Sequence, residues 1–510
     1  MTTSGGAPPP RPAGAAWKAL LWSLPLALYG LMAVTYVRGA EISSDEGFYC
    51  EAARSAASGR VPYSDFGYSQ GPVVPYVNGA LMLVTGFGLV SQRALNGGWA
   101  LLGLLVLAGV CRARAGNAAA LLVVTLLALS LFWVKGVCLG NTFALTSLFL
   151  ALASASVLGI PSARRRLALS TFFGALATGC RLSAVVFAAV VWLFLVARSF
   201  SGRFLAFALG IAALCYGGVF LPFLLRDAPN AVFWMATFHG ASTLSRAESV
   251  FLKEAFLVAP WFVPLLAVAV LSLRARGREV GRDAVALLVA ALAAIFAHAL
   301  PGAPYGGYVT PFVPVALAAG VLVMSSTPSA GPGWREALLV LSAVVPLAFR
   351  RPAVDPGPLA DLERASALLQ SRTPPASAVL TSMPETAVAS NRRVVPGLEM
   401  GKFGFTDEMP EEAARARHLL SRPALVALLT SRQPAAVVLS TSGLWNFSWS
   451  VPSLTPTSAE TRDAIRGALD SGWDLAYAGS SYLVYLPRRA PPGPRAGRET
   501  GPDAPFDKMP

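Results

Sequence analysis

The chain is poor in charge. Only 13% of its 510 residues are Asp, Glu, Lys or Arg, against 55% hydrophobic. Soluble globular domains carry about 25% charged residues, so the deficit excludes an ordinary soluble protein and points to a polytopic membrane protein. Histidine is rarer still, with His239, His298 and His418 alone. Five cysteines (Cys50, Cys111, Cys138, Cys180 and Cys215) form no C-x-x-C pair, which argues against a disulfide framework or a zinc site. There is no G-x-x-x-x-G-K-[ST], no G-x-G-x-x-G after a strand, no H-E-x-x-H and no G-x-S-x-G. Soluble nucleotide-sugar chemistry therefore has no support. No internal repeat is visible, which weighs against an inverted-repeat transporter.

What the chain does have is long apolar runs. Eleven spans are expected, at 17–37, 94–111, 117–134, 142–160, 166–180, 182–197, 204–225, 256–273, 283–300, 308–325 and 335–350. The runs 166–180 and 182–197 are short and read as a hairpin with its tip at Gly179–Arg181. The net charge of +14 sits largely in arginines between spans. With a cytoplasmic N-terminus, the dense groups all fall inside: Arg112 and Arg114, Arg164–Arg166, Arg198 and Arg203, Arg274–Arg282, and Arg335. That is what the positive-inside rule requires. Counting the apolar run 72–90 as a span would reverse every later loop. It is therefore expected to be an interfacial or re-entrant helix within a large first external loop, 38–93.

The ends differ in composition. Residues 1–16 are Pro/Gly-rich, and a run with no small-residue cleavage site follows, so it reads as a retained span. Residues 351–490 have nearly balanced charge. There, helical patterns ("DLERASALLQ", "MPEEAARARHLLS") alternate with β-like runs ("SAVLTS", "AAVVLS", "SYLVYLP"). A small external α/β domain is expected, with His418 on one of its amphipathic helices. A disordered tail is expected over 491–510. The fold class is thus mainly α: a helix bundle with a structured external loop and a C-terminal α/β domain outside the membrane.

The stretch 43–50, "SSDEGFYC", places Asp45 and Glu46 just outside the first span. Ser43 and Glu46 have the spacing of a capping box, and Asp45 in the first turn suits the helix dipole. The helix would end near Ser58, before Gly59. Phe48, Ala52 and Ala56 would share one face of a helix able to lie on the membrane surface. Downstream comes "GRVPYSDFGYSQGPVVPYVNGAL", rich in aromatics, Gly and Pro.

This loop resembles the first external loop of the GT-C superfamily of integral membrane glycosyltransferases. The likeness is nearest to bacterial relatives of protein O-mannosyltransferases and lipid A aminoarabinose transferases. The matching residues are Asp45 and Glu46, then Pro62, Tyr63, Asp65, Phe66, Gly71, Pro72 and Tyr76. The resemblance implies transfer of a sugar from a polyprenyl-phosphate donor to an acceptor protein, lipid or glycan, at the outer face of a bacterial inner membrane. It gives Asp45 the part of general base, supported by Glu46. The same pair offers carboxylates to a divalent cation, Mg²⁺ or Mn²⁺. Donor or substrate contacts are expected from Asp65, Tyr68, Gln70, Asn141, Arg181, His239, Tyr305 and Tyr308.

Plainer readings stand beside these. Arg181 can snorkel to the interface, or it can hold a phosphate by charge and fork geometry. Asn141 stands where relatives often carry an acid, and is also a good helix N-cap. His239, Tyr305 and Tyr308 also suit an aromatic belt. Two rival functions remain at this level: a transporter or lipid flippase, and a non-catalytic assembly subunit that keeps the fold. Ionisable residues deep within spans would favour the first rival, but nearly all lie at span ends.

Overall fold

The computed structural model describes residues 13–43, 45–240, 279–298, 306–326, 355–441, 449–451 and 455–488. Tyr305 and the expected spans 256–273 and 335–350 lie outside the described residues. The chain opens with α1 (Ala13–Gly39), α2 (Glu46–Ala57), α3 (Val73–Thr85) and α4 (Leu89–Ala115). There follow α5 (Asn117–Leu129), α6 (Leu131–Cys138), α7 (Phe143–Gly159), α8 (Ala163–Cys180), α9 (Ala184–Arg198) and α10 (Gly202–Val232). Helices Glu279–Ala297 and Val313–Ser326 complete the described part of the bundle. Its core is built from small and branched side chains, such as Ala100, Leu104, Val123, Ala151, Ala177 and Phe187.

Among the described residues, two helices are long and apolar enough to cross a membrane singly, Leu89–Ala115 and Gly202–Thr237. A third crossing is possible for α5 and α6 together, which meet at 71°. Several apolar helices fall short of span length, α3, α7 and α9 among them. The run 72–90 is not one helix. α3 has 13 residues and stops at Gly86, whose φ of +86° suits glycine. At 1.5 Å per residue it reaches only about 20 Å, short of the roughly 30 Å hydrocarbon core. α4 then starts at Leu89, earlier than the expected 94, and takes Arg93 into a helix.

The arginine-rich ends of α8 and α9 come together. Arg166 and Arg198 both pair with Asp283 on the helix Glu279–Ala297, Arg166 at 3.3 Å. Arg181 lies at the opposite end, between α8 and α9. The hairpin expected from sequence is therefore present, with its basic ends on one side and its tip on the other.

The described residues between 355 and 488 form an α/β unit around a five-stranded sheet of order β2-β1-β5-β9-β8, with β2 at Arg393–Val394 and β8 at Trp473–Ala478 on its edges. β1 (Ala378–Thr381), β5 (Ala436–Ser440) and β9 (Tyr482–Pro487) are its adjacent middle strands. These are the three β-like runs read from sequence. β1 pairs parallel with β5, and β9 runs antiparallel to β5. The pattern "MPEEAARARHLLS" gives a shorter helix than expected, Glu411–Ala416. His418 is not on it. It follows the helix with φ +55°, where the chain turns back toward β4 (Leu420–Ser421).

This unit packs directly on the external loop. α2 is covered by α3 on one side and by the helix Pro384–Ala389 on the other. Ten of its twelve residues are buried. α2 therefore does not lie free on the membrane surface as its amphipathic pattern suggested. Asn230, in the last turn of α10, donates to the Ala416 carbonyl at 2.8 Å, and Trp234 donates to that of Arg417 at 3.1 Å.

Candidate active site

Asp45 is the residue preceding α2 and is half-buried. Its carboxylate acts electrostatically on Tyr49, Tyr308 and Lys402. These come from three distant parts of the chain, so Asp45 stands where the external loop, the bundle and the C-terminal unit meet.

Glu46 is different, although it is the next residue. It is fully buried, as is Arg93. The two form a two-pronged pair, with Arg93 Nε on Oε1 at 2.7 Å and Nη2 on Oε2 at 2.6 Å. Oε1 also accepts the Gly140 N–H at 2.7 Å, and Oε2 the Ser43 N–H at 2.8 Å. The Ser43 bond is the backward reach a capping box would make, but α2 begins at Glu46 with Asp45, not Ser43, as its N-cap, so the box itself is not formed. Arg93 Nη1 and Nη2 further donate to the carbonyls of Ala40 at 3.1 Å and Glu41 at 2.9 Å. They thereby satisfy acceptors at and beyond the end of α1, which a helix terminus leaves open. Glu46 thus clamps three segments together. With four N–H donors on its two oxygens it does not fit a metal ligand. Among the described residues no group of three or more His, Cys, Asp or Glu could hold a metal ion.

Arg181 lies at the hairpin tip and is only 6% exposed. Its guanidinium stacks 4.2 Å from the Tyr308 ring centroid and 5.0 Å from that of Phe143. Among the described residues it pairs with no carboxylate, and its Nε is buried without a partner. Burying a cation this way is costly. His298 faces the same ring, 5.7 Å from Tyr308, with Nε2 buried and unpartnered. Its Nδ1 is 2.7 Å from the Ala294 carbonyl. The sequence singled out His298 only as a neighbour of the Tyr-rich element. Close packing seats the tip. Gly71 lies against the Gly179 carbonyl so tightly that a Cβ there would collide with it, which brings the "GP" of the loop onto the arginine hairpin.

The other expected residues divide. His239 is exposed, with Nε2 on the Ser69 carbonyl at 2.5 Å, and Arg181 acts on it electrostatically. Tyr68 is fully buried, edge-on to Tyr49 at 6.2 Å, and its hydroxyl has no partner. Gln70 is buried, and its backbone carbonyl accepts the Tyr63 hydroxyl. Asp65 folds back to accept the Val61 N–H at 2.7 Å and pairs with Arg226 at 3.3 Å. It shapes the loop at the edge of the cluster. Both side-chain polar atoms of Asn141 serve the backbone: Oδ1 accepts the Phe143 N–H at 2.9 Å and Nδ2 donates to the Gly136 carbonyl at 3.1 Å. Asn141 thus shapes the turn just before α7, whose N-cap is Thr142.

Two residues of the cluster were missed. Arg93 is a lone arginine inside an apolar helix, a signal that was available. Lys402, in "EMGKFGF", gave none, because only the fold carries it to Asp45.

Glu385 lies beneath the cluster, buried where the helix Pro384–Ala389 meets Gly47 of α2. It accepts the Tyr482 hydroxyl at 3.0 Å. Burial lifts its carboxyl to about 7, with the nearby Glu46 charge adding to the rise and Arg93 opposing it. A carboxyl raised from its unfolded value favours the folded state only while protonated. Stability should therefore fall as pH rises from about 4.5 to about 7, by a few kcal/mol, and be level above that. Thermal unfolding at pH 5 and pH 8 checks this: Glu385→Gln should flatten the fall in Tm seen in the wild type.

The chain has the fold of solved ArnT structures. Two solved structures of ArnT from Cupriavidus metallidurans, one bound to undecaprenyl phosphate and one apo, match with TM-scores of 0.65 and 0.62. Their identities are 15% and 14%, and each match covers 93% of this chain and 98% of the ArnT chain. An apo oligosaccharyltransferase from Archaeoglobus fulgidus matches at TM-score 0.50 and 11% identity, over 82% of this chain and 69% of its own. No protein-family model matches the chain, and no curated protein matches it in sequence.

Proposed function

We propose that the protein is an integral membrane glycosyltransferase that moves a sugar from a polyprenyl-phosphate donor to an acceptor hydroxyl at the outer face of a bacterial inner membrane. The observation that carries this is Arg181: a buried guanidinium with no carboxylate partner among the described residues, over the Tyr308 ring. Such a site asks for an anion, and it lies at the tip of a hairpin whose basic ends sit on the other side. The positive-inside rule puts those ends in the cytoplasm and Arg181 outside. The solved ArnT structure of the same fold holds undecaprenyl phosphate.

In the reaction the acceptor oxygen attacks the anomeric carbon, and its proton passes to the Asp45 carboxylate. The bond from the anomeric carbon to the phosphate oxygen breaks with its electron pair on that oxygen. Arg181 holds the departing polyprenyl phosphate, with the Tyr308 hydroxyl as a further donor. Attack opposite the leaving group inverts the anomeric centre. Glu46 takes no proton; with Arg93 it fixes the backbone that carries Asp45. His239, Tyr68 and Gln70 line the approach to the sugar.

Arg181→Met should weaken donor binding about tenfold to a hundredfold, the worth of a charge-assisted hydrogen bond. Arg181→Lys should recover part of it, since lysine keeps the charge and loses the fork. Titration with polyprenyl phosphate alone measures this without turnover. Unchanged binding in Arg181→Met would remove Arg181 from the donor site.

A further inference from the structure

The loop 60–71 runs from the end of α2 to the start of α3. Its last residue, Gly71, seats the hairpin that carries Arg181. Its first residue, Arg60, is held by the C-terminal unit. Arg60 Nη2 pairs with Glu399 at 2.7 Å, and Glu399 is 4% exposed. The other Glu399 oxygen accepts the Gly397 N–H at 2.8 Å. Gly397 takes φ +92°, which side chains resist, and lies against the backbone of Leu419 and Leu420. Glu399 is therefore fixed from within its own unit. Arg60 Nη2 also donates to the Asp65 carbonyl at 2.6 Å, and Nη1 to Ser55 Oγ at 3.2 Å. Its guanidinium lies 5.2 Å from the Phe66 ring centroid. One guanidinium thus joins α2, the loop and the C-terminal unit through charge-assisted bonds.

Between its ends the loop is strained and closely packed. Tyr63 has φ +70°, in the left-handed region that large side chains rarely adopt. Such a conformation persists where the surroundings impose it. The Tyr63 N–H donates to the Phe66 carbonyl at 2.9 Å, and its hydroxyl donates to the Gln70 carbonyl. Its ring is edge-on to Phe223 of α10 at 5.7 Å. Gly67 lies against the Trp234 ring with no room for a Cβ. Trp234 in turn is bonded to Arg417 of the C-terminal unit. Gly71 then meets the Gly179 carbonyl, two residues before Arg181. Between those two, Cys180 is fully buried in a cluster with Val74 and Leu145.

We infer that Glu399 is a positioning residue for the donor site: through Arg60 it holds the loop 60–71 in its strained form, and that loop seats the hairpin tip that carries Arg181. This rests on Arg181 holding the donor phosphate, as proposed above. The C-terminal unit thereby sets how tightly the donor is held. Without the Glu399 carboxylate, Arg60 is no longer anchored, and the strain at Tyr63 favours a looser loop. The Trp234 bond still ties α10 to the unit, so the unit stays docked while the seat at Gly71 opens part of the time. Donor then binds only the seated fraction.

The test takes two readouts from the full-length protein in detergent. One is titration with polyprenyl phosphate. The other is alkylation of Cys180 by N-ethylmaleimide, followed by peptide mass spectrometry, which reads the seat without any donor. Glu399→Ala should weaken polyprenyl-phosphate binding about threefold to thirtyfold, the range of coupling through packed networks. Cys180 alkylation should quicken by at least that factor, because affinity falls only as the open fraction grows. Cys215, half-buried on α10, should react at its wild-type rate. Glu399→Gln, which keeps the shape and an acceptor for Arg60, should show both changes at smaller size, and stands in if Glu399→Ala does not fold. Gly71→Ala, which crowds the seat directly, should show both. In an Arg181→Met background, Glu399→Ala should weaken binding little further, whereas a merely structural loss would weaken it alike in both backgrounds. Wild-type affinity and a wild-type Cys180 rate in folded Glu399→Ala and Glu399→Gln overturn the inference, as does an equal loss in both backgrounds. Faster Cys180 alkylation in the variants, with no polyprenyl phosphate bound by the wild type, would uphold the seat and count instead against the glycosyltransferase reading.

Discussion

Asp45→Asn should lower the rate of sugar transfer by about 10²- to 10⁴-fold, the range that a positioned base contributes, while leaving the fold and donor binding near the wild type. The expectation follows from how differently the two adjacent acids are held. Glu46 is sealed among four N–H donors in the interior. Asp45 is half-buried, and its charge acts on Tyr308 and Lys402 of the cluster. An asparagine fills the same space and cannot accept the proton. Thermal unfolding and polyprenyl-phosphate titration on the same preparation separate lost chemistry from lost structure. Wild-type turnover in a folded Asp45→Asn protein would remove Asp45 from the mechanism.

The second large effect is structural. Arg93→Met should destabilise the protein by about 3–5 kcal/mol, the cost of stranding one member of a buried ion pair. Glu46 would keep a buried charge with only the Ser43 and Gly140 N–H groups, and the carbonyls after α1 would lose their donor. Glu46→Gln should cost less, because an amide still accepts and can turn one edge toward Arg93. The double variant Glu46→Met with Arg93→Met should be less unstable than the sum of its parts, since removing both charges removes the stranded one. Equal, additive losses would mean that the pair carries no coupling.

How much of this was legible in the sequence varies with the range of the forces involved. The hairpin around Arg181 and the end of α2 at Gly59 are local features, and periodicity with turn chemistry found both. β1, β5 and β9 were visible as buried apolar runs. β2 (Arg393–Val394) has two residues and β8 (Trp473–Ala478) follows a helix without a break, with most of its side chains turned outward. Neither carries a burial pattern to read. The spacing tied Glu46 to Ser43, although Asp45 and not Ser43 caps the helix, and nothing local says that the same carboxylate grips Arg93. Likewise Asp65 and Asn141 matched expected positions, and their side chains proved to be spent on turns. Short polar side chains do this often, and spacing cannot separate that use from substrate binding. Lys402 was out of reach because its partner is chosen by the docking of a whole domain.

The central claim is that the cluster around Asp45 and Arg181 transfers sugar and does not merely carry lipid. The most direct measurement uses purified protein in proteoliposomes with a radiolabelled polyprenyl-phosphate sugar and an acceptor hydroxyl. Label should appear on the acceptor with inverted anomeric configuration, with one polyprenyl phosphate released per sugar moved, and neither should occur in Asp45→Asn. Donor that crosses the bilayer intact, with no glycosyl product and no dependence on Asp45, would contradict it.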